Sequence, residues 1–170
     1  MSAPNAVLSH AQLPPGLQLQ DQCDEYVFAS HANILMAFWK KAPTIASINR
    51  LEPHLKRCAA EHKGVGYMAI AFTSKAPDEA REVNSRSSKI IKEIGTVAAA
   101  YVFTEEGITG KLVKLSLNLT FMLSGVNQRG FTKVPEASEF LCGELQKASK
   151  LTTTPPQVTE AITRMLALLK

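Results

Sequence analysis

The chain has 170 residues, of which 45% are hydrophobic and 20% are charged. These proportions are typical of a globular domain that buries its own core, and they argue against a chain that is disordered throughout. The formal net charge is +4, but the lysines and arginines are scattered, so no basic segment of the kind that binds nucleic acid is predicted.

Three features of the sequence favour a cytoplasmic protein. The cysteines, Cys23, Cys58 and Cys142, are far apart and odd in number, which argues against a disulfide framework. Residues 1–22 lack the charged and apolar regions of a signal peptide. No apolar run is long enough to span a bilayer, because the longest one, Leu112–Leu123, is interrupted by polar residues.

The first segments in chain order are a leader and a pair of strands. Residues 1–22 are rich in proline and glutamine, which predicts an extended, flexible leader. The apolar residues between Tyr26 and Trp39 predict two strands. Ser30–Asn33 predicts the turn that joins them, because asparagine tolerates a positive φ.

A helix, a buried strand and a second helix are predicted next. Apolar residues at helical spacing indicate a helix over Thr44–His62, with Thr44 as its N-cap. The continuous apolar run Tyr67–Phe72 is typical of a central strand. A loop follows at residues 73–77, and Asp78 lies in the first turn of the next helix, where negative charge suits the helix dipole.

The segment after the second buried strand allows two interpretations. Thr96–Thr104 is predicted as that strand. Within residues 107–123, alternating leucines favour another strand, whereas a different subset fits one apolar face of a helix. We favour the helix because leucine and methionine are better helix formers than strand formers. The residues on its apolar face are Leu112, Leu115, Leu119 and Met122.

The C-terminal part predicts a strand and two helices. Arg129–Val134 is a short strand, and Pro135 begins a helix that extends to Gln146. Residues 149–156 form a linker, followed by an amphipathic helix over residues 157–170. A helix of this length needs its apolar stripe buried, either on its own domain or on a second copy in a homodimer. The stripe, a candidate oligomer interface, consists of Val158, Ile162, Met165, Leu166 and Leu169.

These segments predict an α/β fold with the order ββαβαβαβα and an additional C-terminal helix. Strands that alternate with helices imply crossover connections and therefore a mixed, mainly parallel sheet. The predicted domain covers residues 23–148. Its element order resembles that of the STAS domain, the fold of anti-sigma factor antagonists, and of its relatives that resemble lipid-binding SEC14 domains. The resemblance is carried by Ile34–Trp39, Tyr67–Phe72, Val97–Phe103 and the helix start at Pro135, Glu136 and Ala137.

The resemblance implies a non-catalytic, regulatory module of bacterial signalling that binds another protein, such as a regulator or a kinase. Phosphorylated members carry an Asp-Ser-(Ser/Thr)-Gly-like turn after the third strand. The corresponding segment here is Thr73-Ser74-Lys75-Ala76-Pro77-Asp78, which has hydroxyls but lacks the preceding aspartate and the following glycine. The SEC14-like relatives imply an alternative, a small-ligand or lipid-binding domain whose pocket would be lined by Leu112, Leu115, Leu119 and Met122.

Thr73, Ser74, Lys75 and Asp78 form the candidate phosphorylation or interaction site. Two roles are open for Ser74. Serine is a favoured N-cap, so it could cap the following helix. Alternatively, a phosphate on Ser74 would be held by the free amides of the helix N-terminus and by the Lys75 ammonium group.

No catalytic, metal or cofactor site is predicted. The GxSxG motif of a nucleophile elbow is absent from the sequence. His54, Cys58 and His62 are spaced four apart, but Cys58 shares the apolar face of its helix, and a buried cysteine is the ordinary case. An enzyme is therefore the weakest of the three functional classes.

Overall fold

A computed structural model describes residues 8–72, 78–104 and 125–169. A short 3-10 turn at His10–Gln12 precedes the sheet. The strands are β1 (Leu17–Gln22), β2 (Tyr26–His31), β3 (Ile34–Trp39), β4 (Val65–Ala71), β5 (Thr96–Phe103) and β6 (Asn127–Phe131). The helices are α1 (Ile45–Ala60), α2 (Ala80–Glu93), α3 (Val134–Lys147) and α4 (Pro155–Leu169).

The six strands lie side by side in the order in which they occur along the chain. β2 is antiparallel to both of its neighbours, β1 and β3, whereas β3 to β6 are parallel. Parallel strands need crossover connections, which α1 and α2 provide for the β3–β4 and β4–β5 pairs. The predicted fold class, an α/β fold with a mixed, mainly parallel sheet and a C-terminal helix, is confirmed.

Helices cover both faces of the sheet, so its central strands are buried on both sides. Successive side chains of a strand point to opposite faces. In β3, for example, Met36 and Phe38 pack with α3 and α4, whereas Leu35 and Ala37 pack with α1 and α2. This two-sided burial explains why β3 and β4 are continuous apolar runs in the sequence.

The predicted turn between β2 and β3 is confirmed, although its residues act differently from our expectation. Ala32, and not Asn33, has the positive φ, of 50°. Asn33 instead uses its buried side chain, which donates to the Gly64 and Lys150 carbonyl oxygens at 3.0 and 2.8 Å. The hairpin therefore connects two segments that are distant in sequence.

The prediction that all of residues 1–22 form a flexible leader is wrong for its last six residues. Leu17–Gln22 forms β1 and pairs with β2 along the edge of the sheet. The physical reason is that Leu17 and Leu19 alternate with glutamine, so both leucines point toward the core beneath α4. Leu8, further upstream, is also buried there.

The helix starts agree with the sequence in one case and differ in another. Thr44 caps α1 as predicted, with reciprocal side-chain bonds to Ser47. Helix α2 begins at Ala80 with Glu79 as its N-cap residue. The prediction that Ser74 caps this helix is therefore wrong, because the chain becomes helical only after Glu79.

The C-terminal segment is fastened to the domain. Thr152 donates to the Asn33 side-chain oxygen at 2.6 Å, and the Thr153 hydroxyl lies 2.9 Å from Nε2 of His31. Beyond this connector, α4 packs on α3 and on the sheet. The connector is residues 149–154, shorter than the predicted 149–156 because α4 begins at Pro155, and it acts as a clasp between the β2–β3 hairpin and α4. Among the helices of the described part, none is long and apolar enough to cross a membrane.

Candidate functional site

The carboxyl ends of β3 and β4 lie at the same end of the sheet, where the sequence predicted a site. Of its four residues, Thr73, Ser74 and Lys75 lie outside the described residues. Asp78 is described and exposed, two residues before α2. The end of β4 is held on both sides, since the Phe72 amide donates to the Trp39 carbonyl at 3.0 Å and the Thr104 hydroxyl donates to the Ala71 carbonyl at 3.0 Å.

Basic residues follow β3 at this end. The backbone amides of Lys40 and Lys41 donate to the Glu25 carbonyl oxygen at 2.8 and 3.2 Å, which fixes the course of the chain beyond β3. The Thr44 hydroxyl donates to the Glu25 carboxylate at 3.2 Å. We call Lys40, Lys41 and Asp78 the carboxyl-end surface. It presents both signs of charge on segments that follow parallel strands.

A second polar cluster joins β1 to α1, and no motif in the sequence indicates it. Asp21 accepts bonds from the Tyr26 hydroxyl at 2.5 Å and from the Arg50 guanidinium at 3.1 and 3.2 Å. Nε2 of His54 lies 3.7 Å from the same carboxylate. A β-bulge between Leu19 and Asp21 shifts the register of the strand at this position.

The electrostatics of this Asp21 cluster are those of a structural junction. Burial raises the pKa of the Asp21 carboxyl, but the hydrogen bonds from Arg50 and Tyr26 outweigh burial and leave the pKa below its ordinary value. Burial and the bond to Asp21 raise the pKa of the Tyr26 hydroxyl. Because both of its carboxylate oxygens accept hydrogen bonds, Asp21 is a poor proton acceptor. The role of the cluster is structural, since the bonds from Arg50 to Asp21 hold β1 against α1.

Ion pairs also connect α1 with α2. Glu52 of α1 accepts from Lys56 at 2.6 Å and from Arg86 of α2. Lys56 further pairs with Glu93 at 3.2 Å. The pKa of Glu52 is lowered mainly by its bond with Lys56. These ion pairs position α1 against α2, so their role is structural.

Two of the three cysteine thiols, those of Cys58 and Cys142, are buried. Burial raises the pKa of the Cys142 thiol to about 11 and also raises that of Cys58, so both remain protonated thiols at neutral pH. Within the described ranges, no group of three or more His, Cys, Asp or Glu side chains could hold a metal ion.

The apolar stripe of α4 packs on its own chain. Val158, Ile162 and Met165 are fully buried, so in this arrangement they are not available to a second copy. Leu166 and Leu169 are half-buried against the same core. The predicted pocket residues, by contrast, lie outside the described residues: Leu112, Leu115, Leu119 and Met122.

A shallow groove runs along the outer side of the α3–α4 pair. Its walls are prolines and threonines, with charged groups between them. The lining residues are Pro135, Glu139, Pro155, Pro156, Thr159, Glu160, Thr163 and Arg164. None of these residues was predicted as a site, because the predicted interface was the apolar stripe on the other side of α4.

Comparisons with protein-family models, with curated proteins and with solved structures return no match to this chain. The architecture of the described residues therefore defines the class of protein, an α/β fold with a six-stranded mixed sheet and a docked C-terminal helix.

Proposed function

We propose that this chain is a non-catalytic regulatory module of the cytoplasm that binds another protein through its carboxyl-end surface. The observation that carries the proposal is a contrast in how charged groups are used. Asp21 and Glu52 are engaged in contacts that join structural elements. Lys41, in contrast, is exposed two residues beyond the carboxyl end of β3.

General principles of α/β folds favour this end. In open α/β sheets, ligands bind outside the carboxyl ends of the strands, on loops that a rigid scaffold positions. The resemblance to STAS domains implies the same kind of role, with Thr73 and Ser74 as candidate phosphorylation sites. A phosphate on Thr73 or Ser74 would add negative charge to the segment between β4 and α2 and change which partner surface fits.

The test is affinity capture with matched charge reversals. Lys41→Glu changes the carboxyl-end surface. Lys63→Glu is the matched control, because Lys63 is exposed in the loop before β4, at the opposite end of the sheet. We expect one native partner to be retained by the wild type and by Lys63→Glu, and to be reduced at least about tenfold by Lys41→Glu, since like charges across an interface are strongly unfavourable.

Equal loss or equal retention in the two variants would contradict binding at this end. Native mass spectrometry of the purified wild-type chain tests the small-ligand alternative in parallel. A co-purified small molecule or lipid in stoichiometric amount would favour the SEC14-like interpretation over the protein-binding one.

A further inference from the structure

The outward side of α4 has a charge pattern that is complementary to itself. α4 buries Val158, Ile162 and Met165, so at 100° per residue the opposite side carries a different set of residues. Glu160 and Arg164 lie one turn apart on that side, with side chains 61% and 55% exposed. They pair with each other within the helix, which is a weak arrangement in water.

Apolar groups lie at both ends of the same side. Pro156 lines the groove near the start of the helix. Leu168, near its end, is the one large apolar side chain that is exposed in the part of the chain that the structure describes, at 42%. Small residues lie between them, with Thr163 and Ala167 both exposed, so another helix could approach closely.

We propose that the outward side of α4 is the interface of a homodimer in which α4 packs antiparallel on its copy. When two copies are related by a two-fold axis near position 162, the residue at position 160 faces position 164 of the partner. Both intrahelical pairs are then exchanged for Glu160–Arg164 pairs between subunits. The same axis brings Leu168 of each copy onto Pro156 of the other.

Two arguments favour a second copy over another occupant. A two-fold contact requires a surface that is complementary to itself. The outward side of α4 meets that requirement, because Glu160 and Arg164 lie symmetrically about position 162, as do the apolar residues Pro156 and Leu168. The contact is small, because one helix face with its flanking groove provides it. We therefore expect a concentration-dependent dimer of the weak, transient class.

The dimer differs from the homodimer that the sequence left open as an alternative to docking on the same chain. That expectation used the apolar stripe, and a dimer of that kind would have to undock α4. The dimer proposed here leaves α4 docked and uses the opposite side of the helix. It is independent of the carboxyl-end surface, so either proposal can fail alone.

The test uses two single charge reversals and their mixture. Arg164→Glu gives a helix with acids at both positions, and Glu160→Arg gives one with bases at both. Each variant alone should be monomeric, because like charges meet across the axis. An equimolar mixture should form a heterodimer, since acids then face bases. The readouts are light scattering after gel filtration, from low micromolar to near-millimolar concentration, and native mass spectrometry of the mixture.

Arg81→Glu is the matched control, because Arg81 is exposed on α2, on the other face of the sheet. It should leave the dimer dissociation constant within about twofold of the wild type. Far-UV circular dichroism confirms that each variant is folded. The double variant Glu160→Arg/Arg164→Glu restores complementary charges and should dimerise by itself. It keeps the proposal testable if one of the single variants does not fold.

Several outcomes would overturn the proposal. They are a wild-type chain that is monomeric over the whole concentration range, a single reversal that still dimerises like the wild type, and a mixture that stays monomeric. Leu168→Ser provides an independent check, and it should raise the dissociation constant about tenfold by removing apolar contact.

Discussion

The two faces of the sheet are sealed in chemically different ways. Beneath α3 and α4 the contacts with the sheet are mostly apolar, and the ion pairs on this side, such as Glu160 with Arg164, lie within one helix. Beneath α1 and α2 there is an apolar core as well, but ion pairs there connect different elements, as Asp21 does with Arg50 and Glu52 with Arg86. Apolar packing, with hydrogen bonds such as that from Asn127 to Glu144, positions one helical layer, whereas ion pairs between elements help to position the other.

We expect the largest effect from a charge buried in either core, and the comparison tests whether both cores are needed for folding. Ile90 of α2 and Ile162 of α4 are 1% and 0% exposed. Changing either to Asp buries an unpaired charge, which costs several kcal/mol against a total stability of roughly 5–15 kcal/mol. We expect both variants to be largely unfolded by circular dichroism.

The matched controls are Ile90→Val and Ile162→Val, which should each cost about 0.5–1.5 kcal/mol in urea unfolding. If the Ile162→Asp chain is folded while the Ile90→Asp chain is unfolded, the packing of α4 is not required for folding. The two helical layers would then not contribute equally to stability.

Removal of residues 1–22 should have the next largest effect. The deletion removes β1, exposes the edge of β2 and leaves Tyr26 and Arg50 without Asp21. The melting temperature should fall by more than about 10 °C, since about 1 kcal/mol corresponds to roughly 2–4 °C in a domain of this size. Gln18→Ser, an exposed change within β1, serves as the control and should shift melting little. An equal melting temperature for the truncated chain would restore the interpretation of this segment as a leader.

How much of this the sequence could predict depends on the range of the interactions. Local signals were sufficient for the β2–β3 hairpin, for the Thr44 cap and for the buried strand that became β4. For β1 the signal was present, because Leu17 and Leu19 alternate with glutamine, but the composition of the leader outweighed it. The Asp21 cluster could not be found in this way, because it joins residues up to 33 positions apart through a bulged register.

Asn33→Ala sharpens the comparison at the clasp. The substitution leaves the Gly64 and Lys150 carbonyl oxygens and the Thr152 hydroxyl without their partner. Since three hydrogen bonds are lost at about 1 kcal/mol each, we expect a loss of about 2–3 kcal/mol in urea unfolding. Thr152→Val, which removes only one of these bonds, should cost about 1 kcal/mol. Equal losses in the two variants would show that the bonds from Asn33 to the Gly64 and Lys150 carbonyl oxygens contribute nothing measurable to stability.

The smallest effect concerns pH. The folded pKa of Asp21 lies below its ordinary value of 3.8. Its contribution to stability is therefore fully present well above that pH, and it is lost as the pH falls through the folded pKa. Asp21→Asn should cost about 1–2 kcal/mol at pH 7, and the difference from the wild type should shrink in acid.

Urea unfolding at pH 7 and at pH 3 measures this difference directly. Ile162→Val on α4, which changes no titratable group, is the control and should cost about the same at both pH values. A constant difference between the wild type and Asp21→Asn at both pH values would show that the carboxylate charge is not what holds β1 to α1.

The clasp also has a consequence for how the chain folds as the ribosome makes it. Each strand of the sheet pairs with the one synthesised just before it, so the sheet can grow by local additions at one edge, which is kinetically favourable. The hydrogen bonds of Thr152 and Thr153 to the β2–β3 hairpin span 119 and 122 residues. They close only when almost the whole sequence has emerged, so the clasp and α4 complete a core that the nascent chain has until then left partly open.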